Sequence, residues 1–591
     1  MSATTTSAYE WSNLPWRKLE QSVFKLQKRI YKASARGDTK AIHRLQRLLM
    51  KSEAARLLAV RKVTQDNRGK RTAGVDGAKN FAPRQRLALA TDLKVEPSGK
   101  PVRRVWIPKP GKTERRPLGI PVLRDRAAQT LARFALEPEW EAHFEPNSYG
   151  FRPGRSAHDA IEAVFSGVSR KAKWVLDADI ASCFDRIDHK ALLAKLNTFP
   201  FVRRAIRGWL KAGVLDGARF SPTTEGTPQG GSISPLLMNV ALHGLETAIR
   251  AAFPSRVTRG GQAILPWQPI VVRYADDFVV LHQDRDVIEQ TRHIAAEWLT
   301  GMGLELKPEK TRIVHTLDRH DDQVGFDFLG FNVRQHRVGK HHTARSTNGE
   351  PLGFKAIISP SQDAQKRHAA DMAAVLRRNL QAPQEAVIDQ LNAKIQGWTG
   401  YHRLVPSRDA FHRMDYLLYQ KLRRWAQRRH PKKSPGWVAR KYWHSDGARN
   451  WVFGVPHRAE LLMHSAQHRK KHVKVVGSAS PFDGNLVYWA SRLGRHPELP
   501  PAKAQLLKRQ GGRCALCGLY FFSLRDVMEV DHVTPAIIGG SDVDTNHQLL
   551  HGHCHDRKTA DDGSLRRMAA TQRARATRRP QRRQSCKPTI P

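Results

Sequence analysis

The sequence predicts a multidomain α+β protein, and three observations predict it. The chain has 591 residues, about four times the length of a typical folding unit. Between residues 174 and 338, strand-like runs alternate with helical ones around one adjacent pair of acids. Near the C-terminal end, Cys514, Cys517 and Cys554 fall within one short segment.

Taken in order, residues 1–90 read as an N-terminal basic helical extension. Val23, Leu26 and Ile30, then Leu45, Leu48 and Leu49, recur at helical spacing with Lys and Arg between them. From Gly69 to Pro121 the texture turns to Gly, Pro and short β-rich runs such as 102–107. Lys109, Lys112, Arg115 and Arg116 lie there between prolines, a composition suited to hairpins that hold phosphates. Strands are predicted over 174–180, 270–281 and 326–333, and helices over 189–196, 236–251 and 287–299. Helical periodicity returns over 362–442, broken at Pro383, Pro406 and Pro431, with Trp398, Tyr401, Tyr416, Trp425 and Trp437 set among basic residues. That pattern predicts an RNA-binding helical unit. A connector rich in Gly, Ser, Pro and His spans 456–501, the cysteine module spans 502–562, and a basic tail spans 563–591 that should stay disordered without nucleic acid.

Lys and Arg number 100 against 54 Asp and Glu, a formal charge of +46. A surplus of that size along the whole chain calls for a polyanionic partner, and nucleic acid fits it. No stretch approaches the roughly 20 apolar residues of a membrane span, and residues 1–13 lack the order of a secretory signal, so a cytoplasmic, membrane-free protein is expected. Cys183 reads as a small buried residue, and the C-terminal cysteines suit a metal site better than a disulfide framework.

Tyr274-Ala275-Asp276-Asp277 lies between two apolar runs, which predicts a hairpin with paired carboxylates at its tip. Adjacent carboxylates repel unless a cation neutralises them, and hard oxygen ligands select Mg²⁺. A third carboxylate is needed to hold two ions about 3.5–4 Å apart for in-line displacement at phosphorus. Asp179, at the end of the strand predicted over 174–180, is the best candidate.

These blocks belong to an ordered series. It runs through Ile107-Pro108-Lys109, Arg116-Pro117-Leu118-Gly119-Ile120-Pro121 and Ser148-Tyr149-Gly150-Phe151-Arg152-Pro153-Gly154-Arg155-Ser156 to the Asp179 block ending Phe184-Asp185-Arg186-Ile187-Asp188-His189. Gly226-Thr227-Pro228-Gln229-Gly230-Gly231, Tyr274 to Asp277, Gly303 to Thr311 and Phe328-Leu329-Gly330-Phe331 follow. The series resembles the reverse transcriptases of group II introns. Ile395 to His402 and Arg428 to Lys433 resemble the thumb and maturase domain (domain X) of the same family.

The resemblance implies a right-hand polymerase with fingers and palm over 91–355 and a thumb/maturase domain over 356–455. Asp179, Asp276 and Asp277 would then hold two Mg²⁺ ions, joined by the backbone carbonyl of Ile180. Lys109 and Arg116 would grip the incoming dNTP. Phe184 would lie beneath its sugar and exclude a 2′-hydroxyl, and Gln229 would line the same pocket. The maturase region carries no acid/base pair or nucleophile, so it would bind and stabilise intron RNA.

In the cysteine module, Cys514-Ala-Leu-Cys517 and His551-Gly-His-Cys554 form two short ligand pairs, whose thiolates and imidazole select tetrahedral, structural Zn²⁺. A module this small needs such an ion to fold. Between and after the pairs, Asp531-His532, Asn546 and His555 resemble the HNH endonuclease motif, which implies a ββα-metal fold. By that resemblance His532 would deprotonate water, and one Mg²⁺ would be held by Asp531 with His555 or Asn546. His551 stands where many relatives have Cys. Together the parts imply an intron ribonucleoprotein that nicks target DNA and copies its RNA into it, with the protein a monomer or a dimer, the 456–501 connector serving as DNA-binding surface. A maturase with decayed catalytic sites and a reverse transcriptase of another class are the rival readings. The complete carboxylate and histidine sets oppose the first, and the maturase and HNH blocks oppose the second.

Overall fold

The computed structural model describes residues 11–108, 114–259, 261–264, 266–522 and 526–561. Contacts divide the chain into two units, one of residues 1–13 with 33–479 and one of residues 14–32 with 480–591. These lines differ from the sequence-based segments: the 1–90 extension and the 456–501 connector are each shared between the two units.

In the first unit, Asp38 caps the helix Thr39–Lys51 by accepting from the Ala41 N–H, and Ile42, Leu45 and Leu49 are buried along one face. Leu48 is exposed, contrary to its place in the apolar pattern. The helix Leu123–Glu141 is buried on most of its surface, as its run of Ala and Leu dictates. One sheet has the order Arg115–Ile120, Val102–Pro108, Val214–Asp216, Arg219–Ser221. The central sheet has the order Arg312–His315, Trp174–Asp179, Asp277–His282, Ile270–Tyr274, antiparallel throughout. Helix Arg285–Thr300 packs on its two middle strands and helix Ala157–Val168 on its edge.

The helix expected over 236–251 is two, Ser234–Leu242 and Leu245–Ala251, because Gly244 takes a φ of 97° between them. Likewise the strand expected over 326–333 is a tight hairpin, Phe326–Phe328 and Phe331–Arg337, turning at Leu329 and Gly330. Helices Gln362–Arg378, Gln384–His402, Arg408–Arg429 and Pro435–Tyr442 then form a separate apolar core around Leu391, Ile395, Leu422 and Trp425. Trp398 is stacked on His368 at 4.6 Å and packs against that core.

In the second unit, Phe24 meets Phe482 at 6.2 Å and the edge of His496 at 5.1 Å, and Lys28 pairs with Glu498 at 2.5 Å. Helices Leu486–Leu493 and Pro501–Arg509 share a core with an antiparallel strand pair, Met528–His532 and His547–His551, followed by the helix Gly552–Asp561. The tail 563–591 lies outside the described residues. Among the described residues no helix is long and apolar enough to cross a membrane.

Candidate active sites

Along Trp174–Asp179 the apolar side chains Leu176 and Ala178 are buried, while Asp177 and Asp179 point to the other face, as strand alternation requires. Register sets Asp179 directly opposite Asp277. Tyr274 pairs with Asp277 across the hairpin, so Ala275 and Asp276 form a two-residue turn. Ala275 has a φ of 61°, the left-handed value a tight hairpin requires at that position and one that costs a non-glycine residue on the order of 1–3 kcal/mol. Neighbours impose it. A Cβ at Gly150 would stand 2.2 Å from the Ala275 nitrogen, so only glycine lets the chain lie against the turn. Buried Arg273 donates from one nitrogen to the Ala275 carbonyl and to Asn239 Oδ1, each at 3.2 Å, and its own backbone bonds Asn147 and Tyr149.

Burial raises the pKa of both Asp276 and Asp277. Asp179 adds to each shift, and Asp276 raises Asp277 further. The charge of Lys310, which is ion-paired with Asp179, offsets part of both shifts. Among the described residues, the three aspartates do not form a group whose ligand atoms all lie within 4.8 Å of one another. Two of them line one concave site: Asp179 and Asp277 share a cavity with Lys310, Arg312, Asp327 and Leu329, and Asp276 adjoins Asp277 on the turn. Repelling, desolvated carboxylates at the end of a rigid sheet are the donor set a divalent cation fits.

Arg116 stands on Arg115–Ile120, and its charge reaches both Asp276 and Asp185. Gln229 donates to Asp185 Oδ2 at 2.8 Å, and Phe184 meets the edge of Phe151 at 6.2 Å. Two backbone bonds flank Ile180, from Lys307 N–H to the Asp179 carbonyl (2.8 Å) and from Ala181 N–H to the Glu305 carbonyl (2.9 Å). Lys109 lies outside the described residues. A Cβ at Gly230 would meet the Gly119 carbonyl at 2.5 Å, so this glycine serves a close approach between two backbones rather than a turn alone. Sequence reasoning missed Arg104, whose charge also acts on Asp185, and the role of Lys310, though Lys310 lies within the Gly303 to Thr311 block.

The segment 464–479 is not a loose connector. His464 is fully buried, bonded through Nδ1 to Asp415 (2.7 Å) and through Nε2 to His368 (2.9 Å). His472 Nε2 and the Val475 N–H both reach buried Asp159, at 3.0 and 2.8 Å. Arg155 donates to the carbonyls of Gly477 and Ala479.

In the second unit, Cys514, Cys517, His551 and Cys554 bring their ligand atoms within 4.8 Å of one another, with Cys517 Sγ 3.4 Å from His551 Nδ1. Burial opposes ionisation of Cys514, but backbone N–H groups of Cys517, His551 and Leu516 outweigh it and lower its pKa. That tetrad suits a borderline cation. The strand pair places Asp531 opposite Gln548 and His532 opposite His547. Asp531 is held by Lys558 and Gln548, both at 2.9 Å. His555 follows on the helix, but Asp531 and His555 join no group of three close donors among the described residues. Asn546 is engaged otherwise than expected of a metal ligand: its Oδ1 accepts from the Thr534 N–H (2.9 Å) and its Nδ2 donates to the carbonyls of Thr534 (3.0 Å) and Ser541 (2.8 Å). It pins the loop between the strands.

An acid-tipped hairpin on a rigid sheet and a ββα module define a nucleic-acid enzyme with two catalytic centres. Family models match accordingly: the N-terminal domain of reverse transcriptase over residues 11–93, reverse transcriptase (RNA-dependent DNA polymerase) over 107–333, the group II intron maturase-specific domain over 365–443, and HNH endonuclease over 514–561. Protein YkfC of Escherichia coli K12 is 33% identical over 393 residues, covering 60% of this chain and 96% of that protein. The group II intron-encoded protein LtrA of Lactococcus lactis is 27% identical over 430 residues, 60% of this chain and 69% of LtrA. Maturase-like protein 1 of Euglena gracilis is 30% identical over 250 residues, 40% of this chain and 52% of that protein. The chain belongs to the group II intron reverse transcriptase/maturase family and carries an HNH endonuclease. It is a multifunctional intron protein with RNA-directed DNA polymerase, splicing and DNA endonuclease roles.

Proposed function

We propose that Asp179, Asp276 and Asp277 hold the divalent cations of the polymerase, with the Ile180 carbonyl beside them, and that His532 is the general base of the nuclease. The observation that carries the first assignment is the register of Asp179 opposite Asp277 with Asp276 on the adjoining turn. Two Mg²⁺ ions bound there would lower the pKa of the primer hydroxyl and neutralise charge at the leaving pyrophosphate. The protein's own residues supply position. Arg116 grips the triphosphate, a task that Lys109 shares by its sequence block alone; Phe184 sits beneath the sugar and excludes a 2′-hydroxyl; Gln229 fixes Asp185 at the pocket wall. Fingers and palm fall within 91–355 and the thumb/maturase domain within 356–455.

In the nuclease, His532 takes the proton from the attacking water, while Lys558 and Gln548 orient Asp531, which would hold a single Mg²⁺ with His555 or Asn546. Zn²⁺ in the tetrad of Cys514, Cys517, His551 and Cys554 is structural. Intron RNA binds the basic helical region, in keeping with the maturase match, and target DNA is the substrate of the nuclease. Asp276→Asn should abolish primer extension on an RNA template while RNA binding survives; undiminished extension overturns the assignment. Nicking at the normal rate by His532→Ala overturns the second.

A further inference from the structure

The loop between the two nuclease strands carries a constellation that the nuclease chemistry does not use. Asp542 reaches back over the strand pair, with Oδ1 2.8 Å from His547 Nε2 and 3.4 Å from His532 Nε2. The imidazoles are register partners, their ring centroids 5.0 Å apart. The three donor atoms all lie within 4.8 Å of one another. His532 Nε2 is itself buried and makes no hydrogen bond.

We propose that His532, Asp542 and His547 form a second cation site, one that takes Zn²⁺ or a related transition ion and thereby shuts off the nuclease. Two imidazoles and one carboxylate are a borderline donor set that favours Zn²⁺, Co²⁺ or Ni²⁺ over Mg²⁺. Ligands bonded at 2.0–2.1 Å to a tetrahedral ion stand about 3.3 Å from each other, so the observed separations need little adjustment. Asp542 is 85% exposed, which leaves the fourth position to water. Asp544 stands 3.9 Å from the other nitrogen of His547, where a carboxylate would orient a ligating imidazole. The site is separate from the cysteine tetrad, because His547 and His551 are four residues apart on one strand, about 13 Å.

The inhibitory consequence rests on the reading of His532 as the base. A lone pair donated to a metal ion cannot accept a proton from water, so occupation removes the base without touching Asp531, Lys558 or His555. No bond to substrate is made or broken by the ion.

The test uses the full chain with its cysteine tetrad loaded and Mg²⁺ in excess to occupy the carboxylate sites. Co²⁺ is added to the wild type, to His547→Ala and to Asp542→Asn. The wild type should gain visible d–d absorption without the near-ultraviolet sulfur-to-metal band of a thiolate site, and both variants should bind at least about tenfold more weakly. In nicking assays at buffered free Zn²⁺, the wild type should lose activity while both variants, as active as the wild type in Mg²⁺ alone, keep theirs. Equal Co²⁺ uptake by all three proteins, or equal inhibition by Zn²⁺, overturns the proposal. Asp542 is exposed, so its variant folds whatever His547→Ala does. If His532→Ala nicks normally, the base assignment fails while the Co²⁺ result still reports on the site.

Discussion

Gly150 and Ala275 lie backbone to backbone, so close that a Cβ on the glycine would stand 2.2 Å from one atom of the turn and 2.9 Å from the next. The contact comes from two distant blocks of sequence and fixes the tip that carries Asp276 and Asp277.

Gly150→Ala should therefore cost more than a surface change. Overpacking of this kind destabilises by about 1–3 kcal/mol, and here the strain falls on the turn itself. Primer extension should drop at least about tenfold, since small displacements of positioned groups are costly, while DNA nicking stays at the wild-type rate. Equal extension by the variant would show that the turn tolerates the shift.

Arg152 and Glu141 form a bidentate ion pair (2.8 and 2.9 Å) with side-chain exposures of 1% and 0%, and Arg152 also donates to the carbonyls of Glu145 and Ser148. Removing one partner of such a pair strands a buried charge, so Arg152→Ala should destabilise the first unit by about 3–5 kcal/mol. Arg152→Met combined with Glu141→Leu should recover much of that loss. Denaturant midpoints of the two variants and the wild type check it.

Burial, with His464 next in weight, pulls the pKa of His368 down to about 3, and burial with His158 pulls His402 down to about 4. Both stay neutral in the folded state, whereas in the unfolded chain they charge near 6.5. Their contribution to stability is therefore complete above about pH 6.5 and is lost as the pH falls toward 4 and then 3, each by at most about 1.4 kcal/mol per pH unit. Denaturation of the first unit should become easier between pH 7 and 5, with a shallower slope in His368→Gln. An unchanged midpoint across that range would contradict the buried, neutral state.

Stripping the cation from the cysteine tetrad with a zinc-selective chelator should unfold the strand pair and end DNA nicking, while primer extension in added Mg²⁺ continues. Cys554→Ser should do the same. Loss of both activities together would mean that the tetrad supports more than the small module.

The sequence marked what depends on local pattern. Two apolar runs around one acidic turn announced the hairpin at Asp276, and strand alternation pointed Asp179 the right way. The prolines at 383, 406 and 431 marked the breaks between maturase helices. What stayed hidden depends on register and long-range closure. Nothing near Lys310 says that it pairs with Asp179, 131 residues away. Asn546 carried the look of a ligand, yet the loop it pins was legible only once the strands were paired. Nothing in the sequence pattern singles out Asp542 and His547, because their meeting with His532 depends on the same pairing.

The strap 464–479 bears on where this protein can be cut. The maturase match stops at residue 443, and a fragment ending there would keep Asp159 and Asp415 while discarding His472, Val475 and His464, which bond to them. Buried Asp159 and half-buried Asp415 would lose those partners, and the fragment would be prone to misfolding on expression. A fragment that keeps all of these partners runs to Ala479, some 36 residues beyond the family boundary, and still parts Phe24 and Lys28 from Phe482, His496 and Glu498.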